Sequence, residues 1–324
     1  MSLWDRKGSR MDPFCHTLVG AALAKGGCDR WTPRATAVLM FAANAPDVDV
    51  VATLVGENLA WRRGVSHGVP ALLVWPFLIA AAALLFDRWR PVPGEPPVRF
   101  GPVAAISAVG VLTHPVLDYL NNYGMRWLMP FRDRWFYGDS LFIVDPWLYL
   151  VLGLGLYLAG RSRRAGHHDP ARPLRIALAI GLVYIGGMMA GTTAARAIAV
   201  RSLGNVDRDR LMVTALPVTP FRKQLIADDG GHYRIGTVDL LTRTTRVDST
   251  MTRNPRFAEA VAALKQSAPG RALLRWSRYP VVREVEGGRL RFFDLRYTDG
   301  RDPSWASLDV NPIEPTLGPL PATP

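Results

Sequence analysis

Hydrophobic residues are concentrated before Val200, in runs too long to be strands. Two short runs come first, Phe14–Ala24 and Ala35–Ala45. Each falls short of the ~20 residues that cross a bilayer. Together they predict a helical hairpin packed against the membrane or dipping into it, with Pro33 in the first turn of its second helix. Four longer runs follow, Val69–Phe86, Gly101–Leu120, Leu141–Gly160 and Leu174–Val200, each close to span length and separated by polar segments. Pro76 predicts a kink of the kind membrane helices tolerate. A soluble bundle can hold one or two all-apolar helices, but four in succession indicate a membrane domain.

From about Leu203 the pattern changes. His232–Leu241, Ala272–Arg278 and Arg289–Tyr297 are strand-like and are separated by Gly-Gly, Asp-Gly and Pro signals. Pro255–Gln266 predicts one helix, with Asn254 as N-cap and Pro255 at its first position. The expected fold is a mainly α membrane protein, with about four transmembrane helices and a short N-terminal helical hairpin, followed by a soluble α+β, β-rich domain. The expected divisions are a polar extension 1–10, a helical membrane domain 11–202, a soluble β-rich domain 203–311 and a disordered Pro-rich tail 312–324. Residues 1–10 do not read as a signal peptide, because no apolar core and cleavage site follow.

Charge adds an orientation. The net charge is +12, mostly from arginine, with +8 of it in the first 202 residues. Loops 87–100 (Arg88, Arg90, Arg99) and 161–173 (Arg161, Arg163, Arg164, Arg172) carry the basic bias, which predicts that both are cytoplasmic. Arg126, Arg132 and Arg134 on the opposite side work against it. Contact with the bilayer explains the basicity. A nucleic-acid partner is not expected, because no groove-reading motif or basic-aromatic platform is present. Cys15 and Cys28 have no metal-finger spacing and read as small core residues.

The chemistry lies in the membrane half. His16, His67 and His114 fall at helix ends, and Asp47 and Asp49 follow the second short helix in the string NAPDVDV. His114 and Asp118 are four apart on one span and share a helix face. Asp47 and Asp49, if extended, point to one side. The topology places His67 before one span and His114 with Asp118 at the end of the next, so all lie at one membrane face. Ionisable groups at membrane depth are costly and mark function. Three histidines with two or three aspartates suit a divalent cation, zinc first and manganese second. The expected metal ligands are His16, Asp47, Asp49, His67, His114 and Asp118, with Asp47 or Asp49 also available as general base. The alternatives are local: a turn or cap at Asp47 and Asp49, and an ion pair of Asp118 with Arg126. Asp139 and Asp145 stay open as further ligands, arginine partners or acceptors for a ligating histidine.

The motifs DPxxH, PDxD, RRGxSHG and HPxLDYxxxYG…PF resemble those of the YdjM-type membrane-bound, metal-dependent hydrolases of bacteria, clearly over residues 11–150. The resemblance implies a bacterial inner-membrane, multi-pass hydrolase. The order His, Asp, His, HxxxD is more distantly similar to the ligand order of the fold shared by zinc-dependent phospholipase C and single-strand-specific nucleases. That similarity implies His16, Asp47 or Asp49, His67, His114 and Asp118 as ligands. The later His and Glu ligands of that fold have no counterpart here, so one or two metals are expected rather than three.

The resulting expectation is a membrane-bound metal-dependent hydrolase acting on a phosphoester or other ester at the bilayer surface, with Arg62, Arg63 and Arg126 drawing an anionic lipid or phosphoester substrate. The main alternative is a non-enzymatic membrane protein with a structural metal and a partner-binding C-terminal domain. A transporter is a third reading, disfavoured because the polar residues cluster at one face. The oligomeric state is left open.

Overall fold

The structure is a computed structural model that describes residues 13–55, 58–204, 206–298 and 306–311. The extension 1–10 and tail 312–324 lie outside the described residues. The membrane half begins with α1 (Pro13–Gly26) and α2 (Ala35–Ala42), followed by a 3-10 segment, Ala45–Val55. After a short helical turn at Asn58–Trp61 come α3 (Val69–Trp89), α4 (Phe100–Leu120), α5 (Pro146–Arg164) and α6 (Arg172–Leu203).

Among the described residues, α3, α4 and α6 are long and apolar enough to cross a bilayer. A fourth candidate is the pair Ala35–Ala42 and Ala45–Ala52, bent by 47°. The third apolar run behaves differently from expectation. Its helix, α5, starts at Pro146 rather than Leu141, and Trp147, Tyr149 and Tyr157 with Arg161, Arg163 and Arg164 dilute its apolar character. Asp145 is therefore the N-cap of α5 and not a carboxylate inside a span. Its Oδ1 accepts from the backbone N–H of Trp147 (3.1 Å) and Leu148 (3.2 Å), while Oδ2 accepts from Tyr184 Oη at 2.9 Å. Large apolar side chains on α3 and α6, including Phe77, Leu78, Leu182 and Val183, are exposed, as lipid contact requires.

Small residues set how closely the helices meet. A Cβ at Gly20 of α1 would lie 2.6 Å from the Leu39 carbonyl oxygen, and one at Gly110 of α4 would lie 2.8 Å from Ala42 Cβ. Both helices thus press their glycine faces onto α2. Gly20 is one turn from His16 and Gly110 one turn from His114, so this close packing draws the two imidazoles together.

The basic loops 87–100 and 161–173 motivate a topology experiment. A reporter fused after Gly160 is expected to read cytoplasmic and one fused near Gly204 extracytoplasmic. Both on the same side would eliminate α6 as a span.

The soluble half has two antiparallel sheets. The first has strand order β1 (Leu211–Ala215), β2 (Arg222–Asp228), β3 (His232–Asp239) and β4 (Thr244–Thr252). Two helices follow, α7 (Phe257–Leu264) and α8 (Ala268–Trp276), and then a sheet of β5 (Pro280–Glu284), β6 (Leu290–Asp294) and β7 (Ser307–Val310). Two local expectations are corrected. Asn254 closes a turn by accepting from the N–H of Arg256 and of Phe257, so α7 begins two residues later than its sequence suggests. Ala272–Arg278 is mostly helix: Ser267 caps Gly270 N–H, and Ala272, Leu273 and Trp276 form the buried face of α8.

The two halves share a core. Leu59, Ala60, Tyr123 and Trp135 pack with Leu264, Leu273, Trp276 and Phe292, and Ala195 and Ala199 of α6 pack under the first sheet. Asp139, an open candidate from sequence, is a clamp between the halves. Its carboxylate receives Arg278 Nη1 at 3.0 and 2.8 Å and Arg196 Nη2 at 3.4 Å.

Candidate metal centre

Two histidines form the heart of the site. Nε2 of His67 lies 3.1 Å from Nε2 of His114. The second nitrogen of each ring is directed elsewhere. His114 Nδ1 is 2.7 Å from the Ala43 carbonyl oxygen, which can only accept, so the proton is on Nδ1. His67 Nδ1 is 3.2 Å from Asp49 Oδ2 and 3.0 Å from Ser66 Oγ, and the carboxylate likewise holds the proton there. Two neutral imidazoles so fixed face each other with lone pairs, a repulsive contact unless a cation lies between them.

Two carboxylate oxygens complete the cluster. Asp47 Oδ1 is 3.4 Å from His114 Nε2 and 3.5 Å from His67 Nε2. Asp118 Oδ2 is 3.4 and 3.8 Å from the same two nitrogens. Both oxygens are buried without a hydrogen-bond partner among the described residues. Leaving two such anionic acceptors unmatched is expensive. Four donors about 2.0–2.1 Å from one zinc stand about 3.3 Å apart in a tetrahedron, close to the separations found here. The residues therefore fit a divalent cation, and Asp47, His67, His114 and Asp118 are the group able to hold it.

The other candidates take different places. Asp49 is directed at His67 Nδ1 and not at the point where the four donors converge. Its Oδ1 also accepts from Arg62 Nη1 (3.2 Å) and its Oδ2 from the Arg63 N–H (2.7 Å). The divergence follows from backbone form. In a 3-10 segment, with three residues per turn, residues two apart do not share a face. His16 stacks on His114 with ring centroids 3.9 Å apart, and its Nε2 is 3.5 Å from Asp118 Oδ1. It borders the four-donor group, and its Nδ1 is buried with no partner among the described residues.

The arginines expected to attract substrate are buried and engaged by protein. Arg63 Nη2 donates to Asp118 Oδ1 at 2.7 Å, so Asp118 pairs with Arg63 rather than Arg126. Arg126 donates to Asp133 Oδ1 and to the carbonyls of Ala60 and Arg62. Arg63 has φ 49°, a left-handed conformation that costs an L-residue energy and is held by these contacts. The glycine of the SHG motif has a steric reason too. A Cβ at Gly68 would stand 2.0 Å from the Met129 carbonyl oxygen, and this approach lets Val69 N–H reach the Trp127 carbonyl.

Sequence reasoning missed the outer support of the site. Arg63 lies 4.6 Å over the ring of Tyr123, and Tyr123 packs against Trp276 at 5.0 Å. Trp276 Nε1 donates to the Tyr123 carbonyl at 3.2 Å. The soluble domain is thus in contact with the residue that steadies Asp118. Nothing local in the sequence signals a contact between residues this far apart.

The decisive comparison is with the model of the YdjM inner membrane protein family, which matches residues 11–195 and so spans every donor of the site. The chain belongs to the YdjM inner membrane protein family. With its apolar helices, this makes it a multi-pass inner-membrane protein. It is also similar to the uncharacterized protein YfhP of Bacillus subtilis (strain 168), 28% identical over 166 residues. That match covers 47% of this chain and 48% of YfhP, so the chain spans about half the length of its relative. No solved structure matches it.

For this YdjM family member, the support around His67 makes a direct prediction. Asp49→Asn keeps the shape but weakens the acceptor at His67 Nδ1. Metal affinity is expected to fall about 10- to 100-fold with the protein still in the membrane. Unchanged affinity in a metal-competition titration would show that Asp49 does not orient the ring.

Proposed function

We propose that the protein is a membrane-embedded, metal-dependent hydrolase that cleaves a phosphoester or another ester at the bilayer surface. The observation that carries this reading is the convergence of His67 Nε2, His114 Nε2, Asp47 Oδ1 and Asp118 Oδ2, of which the two carboxylate oxygens are buried with no hydrogen-bond partner among the described residues. A bound divalent cation, zinc first and manganese second, would supply Lewis-acid activation of water and of the ester oxygen. Of the four donors, Asp47 is the most exposed, with 15% of its side chain accessible, and a substrate meets it first. Asp49 is engaged by His67, Arg62 and Arg63. Among the groups bordering the four donors, His16 has a nitrogen, Nδ1, with no partner among the described residues and its Nε2 near Asp118, so it is the group that would take the proton of an attacking water.

One observation favours a second reading. Four protein donors are enough to close a tetrahedral shell, as structural metals have, whereas catalytic zinc keeps a position open. The test is metal analysis of detergent-purified protein, with no chelator present, alongside hydrolysis of soluble phosphomonoester, phosphodiester and carboxylic ester substrates. About one equivalent of metal and chelator-sensitive turnover are expected. Less than about 0.3 equivalents of any divalent metal would remove the support for a metal site. Full metal without turnover of any ester would favour the structural reading.

A further inference from the structure

Beside the metal centre is a groove of about 590 Å³, within the size range of small-molecule sites. Asp47, the residue that supplies one of the four donors, forms part of its wall. The rest of the lining is mostly apolar, with Phe41, Val48, Val50 and Val51 among its residues, and these four side chains are largely exposed. They belong to the bent segment Ala35–Ala42 and Ala45–Ala52, which has the length and composition of a membrane segment. A segment of that composition is suited to hydrocarbon, and the groove opens beside it. Leaving such apolar walls beside a polar centre suits a ligand that is apolar at one end and polar at the other.

A polar group in the lining narrows the ligand further. Asn44 Nδ2 donates to Thr17 Oγ1 (3.0 Å) and to the Met40 carbonyl (2.8 Å). A carbonyl only accepts, so the amide orientation is fixed and Oδ1 is the remaining acceptor. That oxygen is buried with no partner among the described residues. An occupant that satisfies it must bring a donor, a hydroxyl or an amide N–H.

We infer that the groove takes one lipid, with a hydrocarbon chain along Phe41, Val48 and Val51, a hydroxyl or amide donor at Asn44, and its ester at Asp47. The ester placement rests on the hydrolase reading; the chain and donor placements do not. The lipid enters sideways from the bilayer.

The test uses metal-loaded full-length protein in nanodiscs and a lysophosphatidate probe with a photoreactive diazirine in its acyl chain. Label sites are mapped by mass spectrometry. Saturable labelling of segment 41–51 is expected, displaced by unlabelled lysophosphatidate, while the exposed Leu182 and Val183 on α6 acquire only non-saturable background. Val48→Trp and Val51→Trp, which fill the groove, are expected to bring segment 41–51 down to that background with metal content unchanged. A 2-deoxy analogue, lacking the donor, is expected to compete about three- to tenfold less well. Labelling of the groove no greater than background, or labelling that persists in both tryptophan variants, would overturn lipid occupancy. Equal competition by the deoxy analogue would overturn the Asn44 assignment. Saturable labelling without hydrolysis of any ester supports the lipid site and counts against the hydrolase reading alone.

Discussion

His114→Ala and Asp118→Ala are each expected to strip the protein of metal, to below about one-tenth of an equivalent, and to abolish metal-dependent activity. Each substitution removes one of four donors that all lie within 4.8 Å of one another. Donors to one ion act as a unit, so the double variant is expected to be little worse than either single one. Insertion should persist, because the apolar length of α4 drives it. His167→Ala and His168→Ala, in the loop between α5 and α6, are expected to be silent. Full metal content in both single variants would sink the assignment. Loss of metal together with failure of His114→Ala to accumulate in the membrane would favour a structural role for the ion, since Asp118→Ala also deprives Arg63 of its counter-ion.

The second large effect is expected at Asp294. Its carboxylate accepts from Arg296 Nε at 3.0 Å, Ser277 Oγ at 2.8 Å and the N–H groups of Arg278 (2.6 Å) and Tyr279 (3.2 Å). Arg296 in turn donates to the carbonyls of Asn122 (2.8 Å) and Trp276 (2.9 Å), and the two ionic side chains are fully buried. Asp294→Ala leaves a buried guanidinium without its counter-ion, at a cost of about 3–5 kcal/mol. Limited proteolysis of the soluble domain is expected to accelerate sharply while the spans remain protected. The same pair fixes a pH response. Burial alone would raise the Asp294 pKa, but the Arg296 charge and the hydrogen bonds outweigh it and hold the carboxyl below its ordinary value. The folded state thus binds this proton less readily than the unfolded one. Its stabilisation is complete above about pH 4 and is lost as pH falls through the depressed pKa. Proteolytic resistance that does not differ between wild type and Asp294→Ala would refute the role.

What could be read from the sequence was local. His114 and Asp118 share a face because helical spacing requires it, and the apolar runs declared three of their helices by length alone. The errors arose where periodicity was assumed rather than given. An extended backbone would set Asp47 and Asp49 on one side, and the 3-10 segment Ala45–Val55 turns them apart. Leu141–Val144 looked like the start of a span, yet the Asp-Pro pair at 145–146 is a capping signal that places the start of α5. Ala272–Arg278 has apolar and polar residues in an order that strand and helix share, and Ser267 decides for helix. The Arg63–Asp118 and Tyr123–Trp276 contacts join residues 55 and 153 positions apart. Only the folded chain reveals such pairs.

The packing of Trp276 against Tyr123 also has a consequence for how the protein is made. Every donor of the metal group lies between Asp47 and Asp118, whereas Trp276 and Arg296 leave the ribosome more than 150 residues after the segment they cover. The donor set is therefore complete in the membrane while its far side still lacks its cover. The residues able to hold a metal are thus synthesised well before the domain that packs behind Arg63 and Tyr123.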